Sequence, residues 1–128
     1  MAEHNQIGTI GERLAKTFLM KQGFLIIETN YRTRYGEIDI IAKKDNDIHF
    51  VEVKSIKVRS FSSLETVSIR PEDNLTHSKW SKLEISCETY IEHHKLQNSN
   101  FQIDLACVYV DTELRQGKVR LLENIRKE

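Results

Sequence analysis

The chain has 128 residues, 39% of them hydrophobic, and its 19 basic residues are balanced by 19 acidic ones. That length suits one domain, residues 1–128, around one core, and the mixture excludes a disordered or fibrous chain. No apolar run approaches the roughly 18–20 residues of a membrane helix, and Met1-Ala2-Glu3-His4-Asn5 lacks the basic and apolar segments of a secretory signal, so no membrane partner and a cytoplasmic location are expected.

Residues 7–22 are predicted to form a helix, with Ile7, Ile10, Leu14 and Phe18 as its apolar stripe and Gly23 as its stop. Residues 24–30, 36–43 and 48–54 read as strands. Lys44-Asp45-Asn46-Asp47, between the last two, has turn composition and predicts a hairpin. Residues 55–76, with Pro71, read as a long loop holding one short strand near Thr66–Ile69. A second helix is predicted over 77–94, with Trp80, Leu83, Cys87, Tyr90, Ile91 and His94 on one face. Residues 101–110 read as a strand apolar on both faces, and 117–122 as a short edge strand. A helix, three strands, a helix and a further strand make the class α/β, a sheet flanked by helices.

Cys87 and Cys107 match no metal spacing and read as small buried hydrophobes. His93 and His94 invite a zinc reading with His77, but a pair at a helix end is more often capping or solvated. The net charge of zero means that any phosphate-binding surface must be local. Arg32-Thr33-Arg34 and the run from Lys54 through Lys57 to Arg59 are basic, although such a run is more often a solvated face.

The hairpin carries the chemistry. A symmetric turn at Asp45-Asn46 sets Asp39 opposite Glu52, Glu37 opposite Lys54 and Ile41 opposite Phe50. Strand alternation then places Asp39, Glu52 and Lys54 on one face, and Ile38, Ile40, Val51 and Val53 on a core face. Opposed side chains have Cβ atoms about 4.5–5.5 Å apart, where like charges destabilise. A hard cation reverses that sign: Mg²⁺, or Mn²⁺, takes oxygen ligands and is held by one or two carboxylates plus phosphate and water. Lys54 could orient a water or stabilise charge on a phosphate. A plain ion pair of Lys54 with Glu37 or Glu52 fits the same spacing, and a one-residue slip would separate the groups.

Together, Gly8-x-x-Gly11-Glu12-x-x-Ala15, Asn30-Tyr31-Arg32, Gly36-Glu37-Ile38-Asp39 and Phe50-Val51-Glu52-Val53-Lys54 resemble the UPF0102, or YraN-like, family. That family is similar to the PD-(D/E)XK nucleases, the restriction-endonuclease-like and Holliday-junction-resolvase-like enzymes. The resemblance runs from Gly8 to about Val110 and implies a restriction-endonuclease-like mixed sheet in the order α-β-β-β-α-β. It implies that Asp39 and Glu52 are metal ligands, with the Val53 carbonyl as an extra ligand and Lys54 as the motif lysine. Glu12 would be the helix acid that completes or supports the site. Gly8, Gly11 and Ala15 would let that helix approach the sheet. Lys79 and Arg32 would touch nucleic acid, as Tyr31 could if it is not core, and Asp104 would be structural. Ile56 stands where the family usually has a basic residue, with Lys57 and Arg59 close behind.

The expected function is Mg²⁺- or Mn²⁺-dependent cleavage of DNA phosphodiesters, branched repair or recombination intermediates among them. A junction-cutting enzyme of this kind would be expected to act as a homodimer. The alternatives are a non-catalytic nucleic-acid-binding module on the same fold, favoured by the neutral charge and Ile56, and a scaffold domain of a larger complex.

Overall fold

The computed structural model describes residues 3–58, 75–113 and 115–126, with α1 side chains from Gln6 onward. The elements are α1 (Glu3–Lys21), β1 (Leu25–Thr33), β2 (Gly36–Lys44), β3 (Asp47–Val58), α2 (His77–His93), β4 (Phe101–Asp111) and β5 (Gln116–Leu122). They form a mixed α/β fold with one five-stranded sheet in the order β1-β2-β3-β4-β5. Neighbouring strands are antiparallel except β3 and β4, which run parallel across the α2 crossover. No helix among the described residues is long and apolar enough to cross a membrane.

The two helices cover opposite faces. Ile7, Ala15 and Leu19 of α1 pack on Ile40, Ala42, Val51, Ala106 and Val108. Trp80, Leu83, Cys87, Tyr90 and Ile91 of α2 pack on Ile41, Phe50 and Ile103. Neighbours such as Ile40 and Ile41, or Val51 and Phe50, serve opposite layers because successive strand side chains point to opposite faces. Burial of each such side chain stabilises the fold by roughly 1.5–3 kcal/mol. The predicted α2 face is the buried one except that His94 is exposed and Ser86 joins it; Cys87 and Cys107 are buried free thiols, and β4 is buried on both faces. His94 is the C-cap of α2, its Nδ1 3.0 Å from the Tyr90 carbonyl, so that histidine caps the helix as expected.

Three expectations need correction. The buried line of α1 is Ile7, Gly11, Ala15 and Leu19; Leu14 and Phe18 flank it, and Ile10 is 39% exposed. Small residues on this line bring the helix down onto the sheet, so the larger side chains are pushed to its margins. β3 continues past residue 54 to Val58, because Ser55 to Val58 pair in parallel with Val108 to Asp111. β1 likewise continues through Tyr31 to Thr33, paired with the start of β2. The short strand expected at Thr66–Ile69 lies outside the described residues.

Gly11 marks the closest approach. A Cβ there would meet Ser55 Oγ and come within 2.8 Å of Ser55 Cβ, an atom that moves only with the β3 backbone. Gly8, one turn earlier, would meet nothing within 4 Å. Gly11→Ala is therefore expected to destabilise by roughly 1–3 kcal/mol through overpacking. Gly8→Ala is expected to stabilise by about 0.5–1 kcal/mol through helix propensity. Urea unfolding of the two variants checks this contrast in sign.

Candidate functional site

The hairpin register is the one its turn chemistry predicts. Lys44 pairs with Asp47, Ala42 with His49, Ile41 with Phe50 and Ile40 with Val51, and Asp45 takes the left-handed turn conformation at φ 56°. The ladder then stops. Beyond Ile40 and Val51, β2 pairs only with β1, and β3 only with β4. Asp39 and Glu52 occupy the first rung of this split. The Val53 N–H, which no longer has a β2 carbonyl, donates instead to Asp39 Oδ2 at 2.8 Å. A strand residue sends its N–H and C=O to the same edge, so the Val53 carbonyl also faces the split.

Asp39 does not keep to the face predicted for it. Ile38 packs with Ile41 and Phe50 in the α2 layer, whereas Ile40 packs in the α1 layer. Alternation slips by one at Asp39, which lines a pocket with Thr9, Glu12, Arg13, Lys16 and Asn30. Asp39 also hydrogen-bonds to the Glu52 carboxyl. Glu52 comes from the α2 side of the sheet, where its charge bears on the Cys87 thiol. Asp39 thus sits in the sheet's split and joins Glu12 on one side to Glu52 on the other.

The electrostatics follow from this crowding. Burial pushes the Glu52 carboxyl up to about 10; the hydrogen bond that it donates to Asp39 and the charges of Asp39, Glu37 and Glu12 add to the effect. Glu12 is also raised, first by burial and then by Asp39 and Glu37, against a hydrogen bond from Asn30 and the charge of Lys16. Glu37 has a basic partner, Arg32, at 3.8 Å. Asp39 and Glu52 have no ion-pair partner among the described residues. Two half-buried carboxyls in hydrogen-bond contact repel when both are ionised, which favours a shared proton or a bound cation between them. The donor set of carboxylate oxygens with one nearby carbonyl fits Mg²⁺ or Mn²⁺.

The other residues singled out from the sequence are more dispersed. Lys54 follows Glu52 by two positions on β3 and is exposed; among the described residues it makes no ion pair with Glu37 or Glu52. Arg32 and Arg34 lie on the β1–β2 hairpin, where Arg34 stacks over Tyr35 at 5.3 Å. Tyr31 is half-buried against the α2 core, edge-on to Tyr90 at 5.1 Å. Lys57 is exposed on β3, and Lys79 is exposed in the first turn of α2, its N–H capped by Thr76. Arg59 lies outside the described residues.

Arg13 and Lys16, which the sequence reading passed over, stand beside Glu12 in the pocket; the signal available was the spacing of Glu12 and Lys16, four apart on one helix face. His49 was also passed over. Its Nδ1 is 2.6 Å from Asp104 Oδ2, while Asp104 Oδ1 accepts from Gln102 Nε2 and the Asn124 N–H. His49, Asp104 and Glu123 could each bring one ligand atom within 4.8 Å of the others, but three donors already engage Asp104. The group therefore reads as a hydrogen-bond knot tying β3, β4 and the segment after β5.

Comparison with known proteins bears on this hairpin and its helix. The family model described as "Uncharacterised protein family UPF0102" matches residues 11–108, which include Glu12, Asn30, Asp39, Glu52 and Lys54. The chain belongs to the UPF0102 family. It is 42% identical to a UPF0102 protein of Campylobacter lari, over 92% of this chain and 91% of that protein. A UPF0102 protein of Helicobacter hepaticus is 39% identical over 92% of each chain, and one of Caldicellulosiruptor bescii is 35% identical over 93% and 95%. UPF0102 is an uncharacterised family, so membership assigns no activity.

Proposed function

We propose that this UPF0102 protein is a Mg²⁺- or Mn²⁺-dependent nuclease of the PD-(D/E)XK type that hydrolyses phosphodiester bonds in DNA. The observation that carries the proposal is the Asp39–Glu52 carboxyl pair, partly buried at the end of the β2–β3 ladder without a cationic partner among the described residues. The element order, with three antiparallel strands leading through α2 to a strand parallel to β3, agrees with a restriction-endonuclease-like core.

Asp39 and Glu52 would hold the metal, with Glu12 and the Val53 carbonyl as further oxygens. When bound, the cation would supply charge neutralisation at the phosphate and the leaving oxygen. Water adds to phosphorus, the bond to the leaving oxygen breaks, and the leaving oxygen takes up a proton. The Lys54 ammonium, on the same strand and facing as Glu52 does, orients the water or offsets phosphate charge. Arg32, Arg34, Lys57 and Lys79 supply phosphate contacts away from the reacting group, in a cytoplasmic enzyme whose action on junctions would take a homodimer.

The test is cleavage of labelled duplex, single-stranded, flap and four-way-junction DNA with Mg²⁺, Mn²⁺ or EDTA. Metal-dependent cleavage lost in Lys54→Ala is expected, and the preferred shape names the substrate. Binding that weakens steeply with salt but never leads to cleavage would instead favour a non-catalytic module.

A further inference from the structure

The β1–β2 ladder pairs Thr29 with Ile40 and Tyr31 with Ile38, yet the rung between them, Asn30 against Asp39, is not formed. Asn30 sits at φ 53°, in the left-handed region. A side chain with a Cβ rarely adopts it, and Asn tolerates it better than most. In the middle of an extended strand such a residue turns the chain, and both strands show the result. Thr29 and Asn30 line the α1 pocket, while Tyr31 packs in the α2 layer. Across the rung, Asp39 and Ile40 face α1, while Ile38 packs toward α2. Regular alternation from Ile41 would have aimed Asp39 at the α2 layer, away from Glu12. Strand irregularities beside functional sites re-aim side chains in this way. The Asn30 side chain, turned the same way, shares the pocket with Glu12, where its amide favours the ionised Glu12 carboxyl.

We propose that Asn30 is the positioning residue of the carboxylate site: its left-handed backbone aims Asp39 at α1, and its side-chain amide holds Glu12 beside Asp39. The inference rests on the metal-site reading above and assigns Asn30 no contact with the reacting atoms.

Three variants separate the two roles. Asn30→Gly keeps the left-handed backbone and loses the amide. Asn30→Asp keeps a tolerated backbone and replaces a donor with a charge next to Glu12. Asn30→Val loses both. Mn²⁺ affinity is read by the spin-resonance signal of free Mn²⁺, with melting temperature measured on the same samples without metal. Removing a group that orients metal ligands typically weakens binding about 10- to 100-fold. Asn30→Gly is expected at the lower end of that range and Asn30→Val at or beyond the upper end. Asn30→Asp should bind Mn²⁺ more weakly than Asn30→Gly although it melts no lower. Unchanged Mn²⁺ affinity in Asn30→Gly and Asn30→Val, or losses that merely follow melting temperature across the series, would overturn the proposal. Asp39→Asn serves as the reference. Native protein whose Mn²⁺ binding is absent or indifferent to Asp39→Asn overturns the metal reading and Asn30's role with it. Asp39-dependent binding with indifferent Asn30 variants overturns Asn30's role alone.

Discussion

Asp39→Asn is expected to lower metal-dependent cleavage by on the order of 10³-fold or more, while the protein stays folded and at least as stable as the native chain. The two effects separate because Asp39 has two tasks. Its Oδ2 accepts the Val53 N–H at 2.8 Å, where the β2–β3 ladder ends. An amide oxygen accepts that bond equally well, and its NH₂ group can donate to Glu52. What the amide lacks is the charge that a divalent cation needs. Asp39→Ala removes both tasks and leaves the Val53 N–H without its acceptor, at roughly 1–3 kcal/mol. Cleavage rates and urea midpoints of the two variants check the argument. Near-native cleavage by Asp39→Asn would remove Asp39 from the metal site, and equal stability of the two variants would contradict the role of its hydrogen bond.

The second large effect is on stability against pH. The Glu52 carboxyl is pushed from its ordinary 4.5 up to about 10, chiefly by burial and then by Asp39. The folded protein therefore keeps a proton that the unfolded chain has released. Stability from such a group is fully present below the unfolded value and is lost as pH rises through the folded one. Metal-free protein should lose stability steadily between about pH 4.5 and about 10. Glu52→Gln removes this slope and should gain roughly 0.5–2 kcal/mol at neutral pH, as substitutions that relieve a functional site often do. A divalent cation must displace the same proton, so its affinity in the native protein should rise with pH. At 100 times its dissociation constant it adds about 2.7 kcal/mol. Glu52→Gln should show neither response. Melting curves from pH 5 to 9, with EDTA and with Mn²⁺, decide it: parallel stability profiles for native protein and variant would mean that Glu52 ionises freely.

The sequence alone was sufficient wherever the governing energy is local. Asp45-Asn46 sets a turn, the turn sets the register, and the register runs as predicted from Lys44 and Asp47 to Ile40 and Val51, next to Asp39 and Glu52. The apolar spacing of α2 predicts its buried face for the same reason, since periodicity is a property of one segment. Other features needed partners far along the chain. Residues 55–58, Ser-Ile-Lys-Val, which open a stretch read as loop, become strand because β4 lies alongside them. The buried line of α1 runs through Gly11 because Ser55 is where the helix lands. The ladder splits after Ile40 and Val51, and Asn30 turns left-handed opposite Asp39, because the two ends of β2 and β3 serve different neighbours. Spacing could bring a pair of carboxylates together within one hairpin. The meeting of that pair with Glu12, and the lack of an ion-pair partner for Asp39 and Glu52 among the described residues, depended on how a helix and a sheet bury their faces against each other, which no window of sequence contains.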